Sequence, residues 1–322
     1  MKLQTQIPLQ KQLKKPINYH SKMVLLGSCF SENIGERFDY FKFQNLQNPF
    51  GIFFHPKAIE KFIHQVVSKK VFSEDDVFFE NQLWHCFDAH SSLSSLNKET
   101  LLSNLNSRIE STHLALKNTT HCIITFGTSW VYRFSETDEI VVNCHKIPQK
   151  KFTKELLSIA EISASLHHII TQIQSINPTI TIVFTVSPVR HLKDGFVENT
   201  QSKAHLIAAI HTILKDKNVF YFPSYEIMMD ELRDYRFYGE DMIHPNQIAI
   251  QYIWEKFIAT WFSQESILIM NEIESIQKGL LHKPFHENSE QHQAFLKNLN
   301  FKITEIQKKL PFVKNFKINS LM

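Results

Sequence analysis

The sequence predicts an α/β protein built on a parallel sheet, and three observations carry that prediction. Four short apolar runs each stop at a turn of glycine, serine or proline. The segments between them have the spacing of amphipathic helices, and strand and helix alternate along most of the chain.

The first run, Met23-Val24-Leu25-Leu26, ends at Gly27-Ser28 and leads into a helix through Phe38. Lys57 to Val67 and Lys98 to Leu116 repeat their apolar residues at helical intervals. Cys122 to Phe126 is the second strand, closed by Gly127-Thr128-Ser129. Trp130 to Val142 reads as an inserted hairpin, with Ser135-Glu136-Thr137-Asp138 at its tip, placed to roof a site. Phe152 to Ile173 is expected to be a helix, Ile180 to Val186 a strand before Ser187-Pro188, and Ser202 to Leu214 a helix. Val219 to Phe222 is the last strand, before Pro223-Ser224. Pro245 is expected in the first turn of a closing helix that runs to Trp261, a position proline tolerates because its missing N–H has no partner there. Ile267, Met270, Ile273 and Ile276, then Phe295, Leu299, Ile303 and Ile306, predict two further amphipathic helices. The expected division is an α/β domain over 1–262 and a C-terminal helical extension over 263–322, the latter a contact for a second copy of the chain.

Composition narrows the function. Thirty-five Lys and Arg against 32 Asp and Glu leave a formal charge of +3, far from the concentrated basic charge of nucleic-acid binders. Hydrophobic residues at 43% and charged residues at 21% suit a folded core and exclude a disordered chain. No apolar run approaches the length of a membrane span, and Met1 to Lys15 carries four lysines without a continuous apolar stretch. A cytoplasmic protein without nucleic-acid or membrane partners is expected. Cys29, Cys86, Cys122 and Cys144 are scattered without a CxxC pair and read as reduced thiols. No H-E-x-x-H signature occurs, so neither metal nor cofactor is expected.

In an open parallel sheet, ligands bind beyond the carboxyl ends of the strands, where loops and helix N-termini converge. Ser28 follows the first strand at a glycine and would stand at a helix N-terminus, where free amides stabilise an anion; it is either a nucleophile or an N-cap. A serine nucleophile needs a base, and that imidazole needs an acceptor on its other nitrogen. Asp241-Met242-Ile243-His244 can supply both from one loop, between the last strand and the closing helix. Cys29 is a competing nucleophile at the same helix N-terminus, although a packing role is expected for it. Arg190 and His191 follow the third strand, where they would meet a substrate anion or hydroxyl; an ion pair of Arg190 with Asp230, Glu231 or Asp234 is the alternative.

The run Leu25-Leu26-Gly27-Ser28-Cys29-Phe30-Ser31 resembles the signature of the GSCFA domain family, similar to the SGNH/GDSL hydrolases, with Ser31 in place of a final alanine. The resemblance extends in order through Asn48-Pro49-Phe50-Gly51, Phe126-Gly127-Thr128-Ser129, Asn143-Cys144-His145-Lys146-Ile147-Pro148, Ser187-Pro188-Val189-Arg190-His191, Tyr221-Phe222-Pro223-Ser224-Tyr225-Glu226 and Asp241-Met242-Ile243-His244-Pro245. It implies a three-layer α/β/α fold with Ser28 as nucleophile and Asp241 and His244 completing a triad. It also implies an oxyanion hole from the Ser28 and Gly51 amides and a third donor. Gly127-Thr128-Ser129 departs from the Gly-x-Asn of SGNH enzymes, so Thr128 or Ser129 is expected to supply that donor. Asn143 and His145, within another shared motif, are either substrate contacts or anchors of the hairpin.

The function these residues imply is hydrolysis of a carboxylic ester through an acyl-serine. The expected substrate is a small molecule or an O-acetylated carbohydrate. Two alternatives stand beside it: an acyltransferase using the same nucleophile, and a catalytically silent binding protein that keeps the pocket.

Overall fold

The computed structural model describes residues 4–314 and 316. The chain opens with β1 (Lys22–Gly27), α1 (Cys29–Tyr40), β2 (Gln44–Gln47) and α2 (Pro56–Ser68). A short hairpin, β3 (Phe78–Glu80) and β4 (Leu83–His85), precedes α3 (Lys98–Asn118) and β5 (His121–Phe126). Next come β6 (Trp130–Phe134), β7 (Glu139–Val141), β8 (Phe152–Leu156), α4 (Ile159–Ile176) and β9 (Thr181–Val186). The remainder is α5 (Phe196–Ile213), β10 (Val219–Phe222), a short α6 (Ser224–Glu226) running into a π turn, and then α7 (Gln247–Trp261), α8 (Gln264–Leu280) and α9 (Glu290–Lys309).

Five strands form one parallel sheet in the order β10-β9-β5-β1-β2. Every residue of β5 and β9 is buried, because helices cover both faces. Alternate residues serve opposite layers. Val24, Leu26, Ile124 and Phe184 pack with Ile59, Leu105, Leu166 and Leu206 from α2 to α5. Met23, Leu25, Ile123 and Val183 pack with Phe38 of α1, Trp254 of α7, Ile273 of α8 and Ile306 of α9. The protein is therefore a three-layer α/β/α structure. The C-terminal helices extend one of its two cores, and Gln277 donates to the Tyr40 carbonyl at 3.0 Å.

Several elements differ from expectation. Phe152 to Leu156 is not helical: it pairs antiparallel with β6, making the inserted hairpin a three-stranded sheet of order β7-β6-β8. Helix α4 starts only after Ser158, whose hydroxyl and Glu161 form a reciprocal capping box. Helix α5 begins at Phe196, six residues before Ser202. Pro245 lies outside α7, ahead of its N-cap Asn246, whose side chain accepts from the Ile248 and Ala249 amides. Strand β2 and the β3–β4 hairpin are additions. Among the described residues, no helix is long and apolar enough to cross a membrane.

Strand β1 connects outward to β2, and the chain later returns to place β5 on its other side. That change of direction opens a crevice at the carboxyl ends of β1 and β5. Gly27 closes β1 with φ +129°, and a Cβ there would stand 2.0 Å from the Thr125 carbonyl oxygen. Only glycine fits so tight an exit. Asn48 fixes the same turn by accepting from the Gly27 amide at 2.9 Å.

Candidate active site

A cavity of about 600 Å³ opens beyond the carboxyl ends of these strands. Cys29 and Thr128 stand on its floor at the ends of β1 and β5; Trp130 and Tyr132 come from β6 of the inserted sheet and Asn143 from the loop between β7 and β8. Arg190 and His191 follow β9, and His244 comes from the loop before α7. The sequence-predicted Thr128, Asn143, Arg190, His191 and His244 are thus brought to one place.

His244 is held by its own loop. Asp241 Oδ1 accepts from the Ile243 amide at 2.9 Å and the His244 amide at 3.0 Å, while Oδ2 lies 2.6 Å from His244 Nδ1. Met242 takes φ +56° in this turn, and the Gly239 amide donates to the His244 carbonyl at 2.7 Å. The hydrogen bonds to His244 and Ile243 hold the Asp241 carboxyl down to about 2. Because an ionised carboxylate only accepts, Nδ1 carries the proton and Nε2 is left as the basic nitrogen.

Ser28 is placed elsewhere. Its side chain is fully buried, accepts from the Phe30 amide at 3.3 Å as the N-cap of α1, and does not line the cavity. Its amide donates to the Thr125 carbonyl at 3.0 Å, so it is not free for an oxyanion. The structure therefore gives Ser28 the capping role rather than the expected position of an attacking hydroxyl.

The expected oxyanion hole is not assembled either. The Gly51 amide donates to the Asn48 carbonyl at 2.7 Å within its own turn. Ser129 is fully buried: its hydroxyl donates to the Ser202 carbonyl at 3.1 Å and its amide to Ser202 Oγ at 2.7 Å. Thr128 reaches the cavity, but its hydroxyl accepts from the Trp130 amide at 3.0 Å and lies 3.0 Å from Ser202 Oγ. Among the described residues, the amide of Cys29, first residue of α1, donates to no other residue, and Nδ2 of Asn143 has no partner while its Oδ1 accepts from the His145 amide at 2.8 Å.

His145 does not line this cavity. Its φ of +47° turns the ring into the protein, where Nε2 lies 2.8 Å from the Cys86 carbonyl and the ring is 4.6 Å from that of His85. Asn143 thus lines the cavity, and His145 packs inside the protein against Cys86 and His85.

The far wall carries Arg190 and His191. Arg190 pairs with no carboxylate among the described residues: Asp230, Glu231 and Asp234 bind Arg233, Lys256 and Arg236 instead. Arg190 Nη2 rests 3.0 Å from Met229 Sδ. His191 Nε2 is buried without a partner, and burial, helped by Lys203 and His244, pushes its pKa down to about 3. Lys203, which sequence reasoning missed, lies beneath the floor. Fully buried, it donates to the Gly127 carbonyl at 2.7 Å and the Ser187 carbonyl at 2.8 Å, and burial pushes it down to about 7. A lysine that follows Asn199-Thr200-Gln201-Ser202 reads as a solvated helix residue and gives no signal of such a position.

These features define a class: a three-layer α/β/α protein with a histidine–aspartate pair beside a helix N-terminus at the carboxyl edge of its parallel sheet. The chain belongs to the GSCFA family, whose sequence profile matches residues 22–257. A second profile, the GSCFA domain protein C-terminal domain, matches residues 273–317. Among solved structures, the chain is similar to a Clostridium thermocellum family 3 carbohydrate esterase, with 12% identity over 78% of this chain and 97% of that one and a TM-score of 0.33. A carbohydrate esterase family 3 protein from Talaromyces cellulolyticus gives 7% identity over 79% and 99%, with a TM-score of 0.35. No curated protein matches the chain in sequence.

Proposed function

We propose that the protein hydrolyses carboxylic esters in this cavity, through an acyl-enzyme formed at the β1–α1 turn. The observation that carries the reading is the 2.6 Å contact of His244 Nδ1 with Asp241, which leaves Nε2 basic in a cavity that also exposes the start of α1. His244 takes the proton of the nucleophile as it attacks the ester carbonyl. It then returns that proton to the leaving alkoxide, and Asp241 stabilises the imidazolium between the two steps. The Cys29 amide and Asn143 Nδ2 are the donors available to the oxyanion.

The substrate class we favour is an O-acyl carbohydrate. Trp130 and Tyr132 give the cavity aromatic walls for a sugar face, and Arg190 gives it a polar group to orient hydroxyls. The test is acid release from acetylated sugars and from simple aryl acetates, with and without an added alcohol. Acid release that Asp241→Asn suppresses supports the hydrolase. Preferential transfer to the alcohol assigns an acyltransferase, and well-folded protein that binds acetylated sugars without turnover assigns a binding protein.

A further inference from the structure

We propose that the attacking group is the thiol of Cys29, so that the acyl intermediate is a thioester and Ser28 serves as the cap of the helix that presents it. This inference rests on the acyl-enzyme reading above and names the nucleophile that the reading requires.

Two consecutive side chains at the β1–α1 turn have opposite surroundings. Ser28 stands at the N-cap of α1, where the hydroxyl folds back onto the Phe30 amide and loses all contact with solvent. Cys29, at the first helical position, is partly exposed and lines the cavity with Thr128, Asn143 and His244. A nucleophile must reach both the substrate and the base, and of these two residues only Cys29 borders the space that holds His244. Reassigning the role to Ser28 would require breaking its cap and rotating the hydroxyl out of a fully buried site.

The surroundings of the sulfur fit a thiol that is activated during attack. Burial pushes the Cys29 thiol above its ordinary range, and Glu32 adds to this; Lys203 and the first-turn amides of Cys29 and Phe30 oppose the shift. The resting sulfur is therefore protonated, and a base must remove its proton as the bond forms. His244, with Nδ1 already occupied by Asp241, is the base in the same cavity. Cys144 also borders the cavity, but it lies outside the helix terminus, and burial pushes its thiol up to about 11.

The chemistry balances without any co-reactant but water. Sγ attacks the ester carbonyl as Nε2 of His244 takes the thiol proton; the tetrahedral oxyanion collapses, the C–O bond breaks, and the imidazolium protonates the departing alkoxide. Water, losing a proton to His244, then attacks the thioester. The C–S bond breaks, the acid leaves, and the sulfur recovers the proton.

The experiment uses full-length protein with an aryl acetate, stopped in acid during the burst and digested for mass spectrometry. Cys29→Ala, Ser28→Ala, Cys144→Ala and His244→Ala are compared with wild type, each checked for folding by circular dichroism. The expected result is an acetyl group on the peptide containing residues 28 and 29 that neutral hydroxylamine removes, as it does a thioester but not a serine ester. It should be absent in Cys29→Ala and kept in Ser28→Ala and Cys144→Ala, with turnover reduced by at least about 10²-fold in Cys29→Ala alone of these three. A hydroxylamine-resistant acetyl group that survives Cys29→Ala and disappears in Ser28→Ala overturns the thiol assignment while leaving the hydrolase reading intact. Should wild type neither acylate nor turn over, the hydrolase reading fails, and iodoacetamide decides the pairing separately. Alkylation of Cys29 slowed in His244→Ala supports a thiol served by that base, and alkylation indifferent to His244 contradicts it.

Discussion

Asp241 and His244 are joined twice within one turn of chain: the carboxylate accepts the His244 amide at 3.0 Å through Oδ1 and faces the ring nitrogen Nδ1 at 2.6 Å through Oδ2. The backbone contact fixes where the ring starts and the side-chain contact fixes where it points. Both side chains are about half exposed, so this orientation comes from geometry rather than from a dry interior.

Replacing Asp241 by Asn should therefore remove the tautomer control without removing the loop. The expected loss is about 10²–10⁴-fold in kcat for ester hydrolysis, with little change in thermal stability. Steady-state kinetics beside a melting curve checks it. Since the carboxyl is held down to about 2, Asp241 stays ionised throughout the working range, and an acid limb in the wild-type rate profile belongs to another group.

Asn143→Ala tests the oxyanion donor. Removal of Nδ2 should lower kcat by roughly 10²–10³-fold with little change in KM, because the bond strengthens only as charge develops on the carbonyl oxygen. A change confined to KM would make Asn143 a substrate-orienting residue instead.

The turn at Gly27 has no room for a side chain. Gly27→Ala places a methyl carbon 2.0 Å from the Thr125 carbonyl oxygen at φ +129°, against the backbone of the central strand. Loss of soluble expression or a large fall in Tm is the expected result. A variant as stable as wild type would show that β1 and β5 separate easily.

Lys203 gives stability a pH dependence of defined sign. Its folded value is lowered from 10.5 to about 7, so between those limits the unfolded chain holds a proton that the folded chain lacks. Stability from this group therefore rises with pH across that window, and is lowest below about 7, where the buried amine must be charged. Denaturant unfolding at several pH values, compared with Lys203→Met, measures it: the variant should lose that slope while paying about 1–3 kcal/mol for two unsatisfied carbonyls.

The sequence made the centre of the sheet legible because its strands are buried on both faces: His121 to Phe126 and Thr181 to Val186 have few polar positions to confuse a reading. Strand β2 was illegible for the opposite reason, since Gln44-Asn45-Leu46-Gln47 lies at the sheet edge and none of its residues is fully buried. Strand β8 was lost because Phe152 and Leu156 merge by helical spacing into the apolar positions of α4; only the Ser158–Glu161 capping box marks the boundary.

Within the site, Asp241 and His244 were legible because one short loop holds both partners. The choice between Ser28 and Cys29 was not, because it depends on how α1 docks on the sheet, which decides which of two neighbours faces the cavity. The spent donors of Gly51 and Ser129 were equally hidden: their partners are the Asn48 carbonyl of a local turn and Ser202, 73 residues away. Lys203 became visible only when the ends of β5 and β9 were brought together above it.

The most direct test of the account is ester turnover by folded His244→Ala beside wild type, measured with the aryl acetate and acetylated sugar substrates that wild type accepts. A fall of at least about 10²-fold with an unchanged circular dichroism spectrum is the expected result. Equal rates for the two proteins would contradict it, because the cavity would then have no use for the imidazole that Asp241 holds in place.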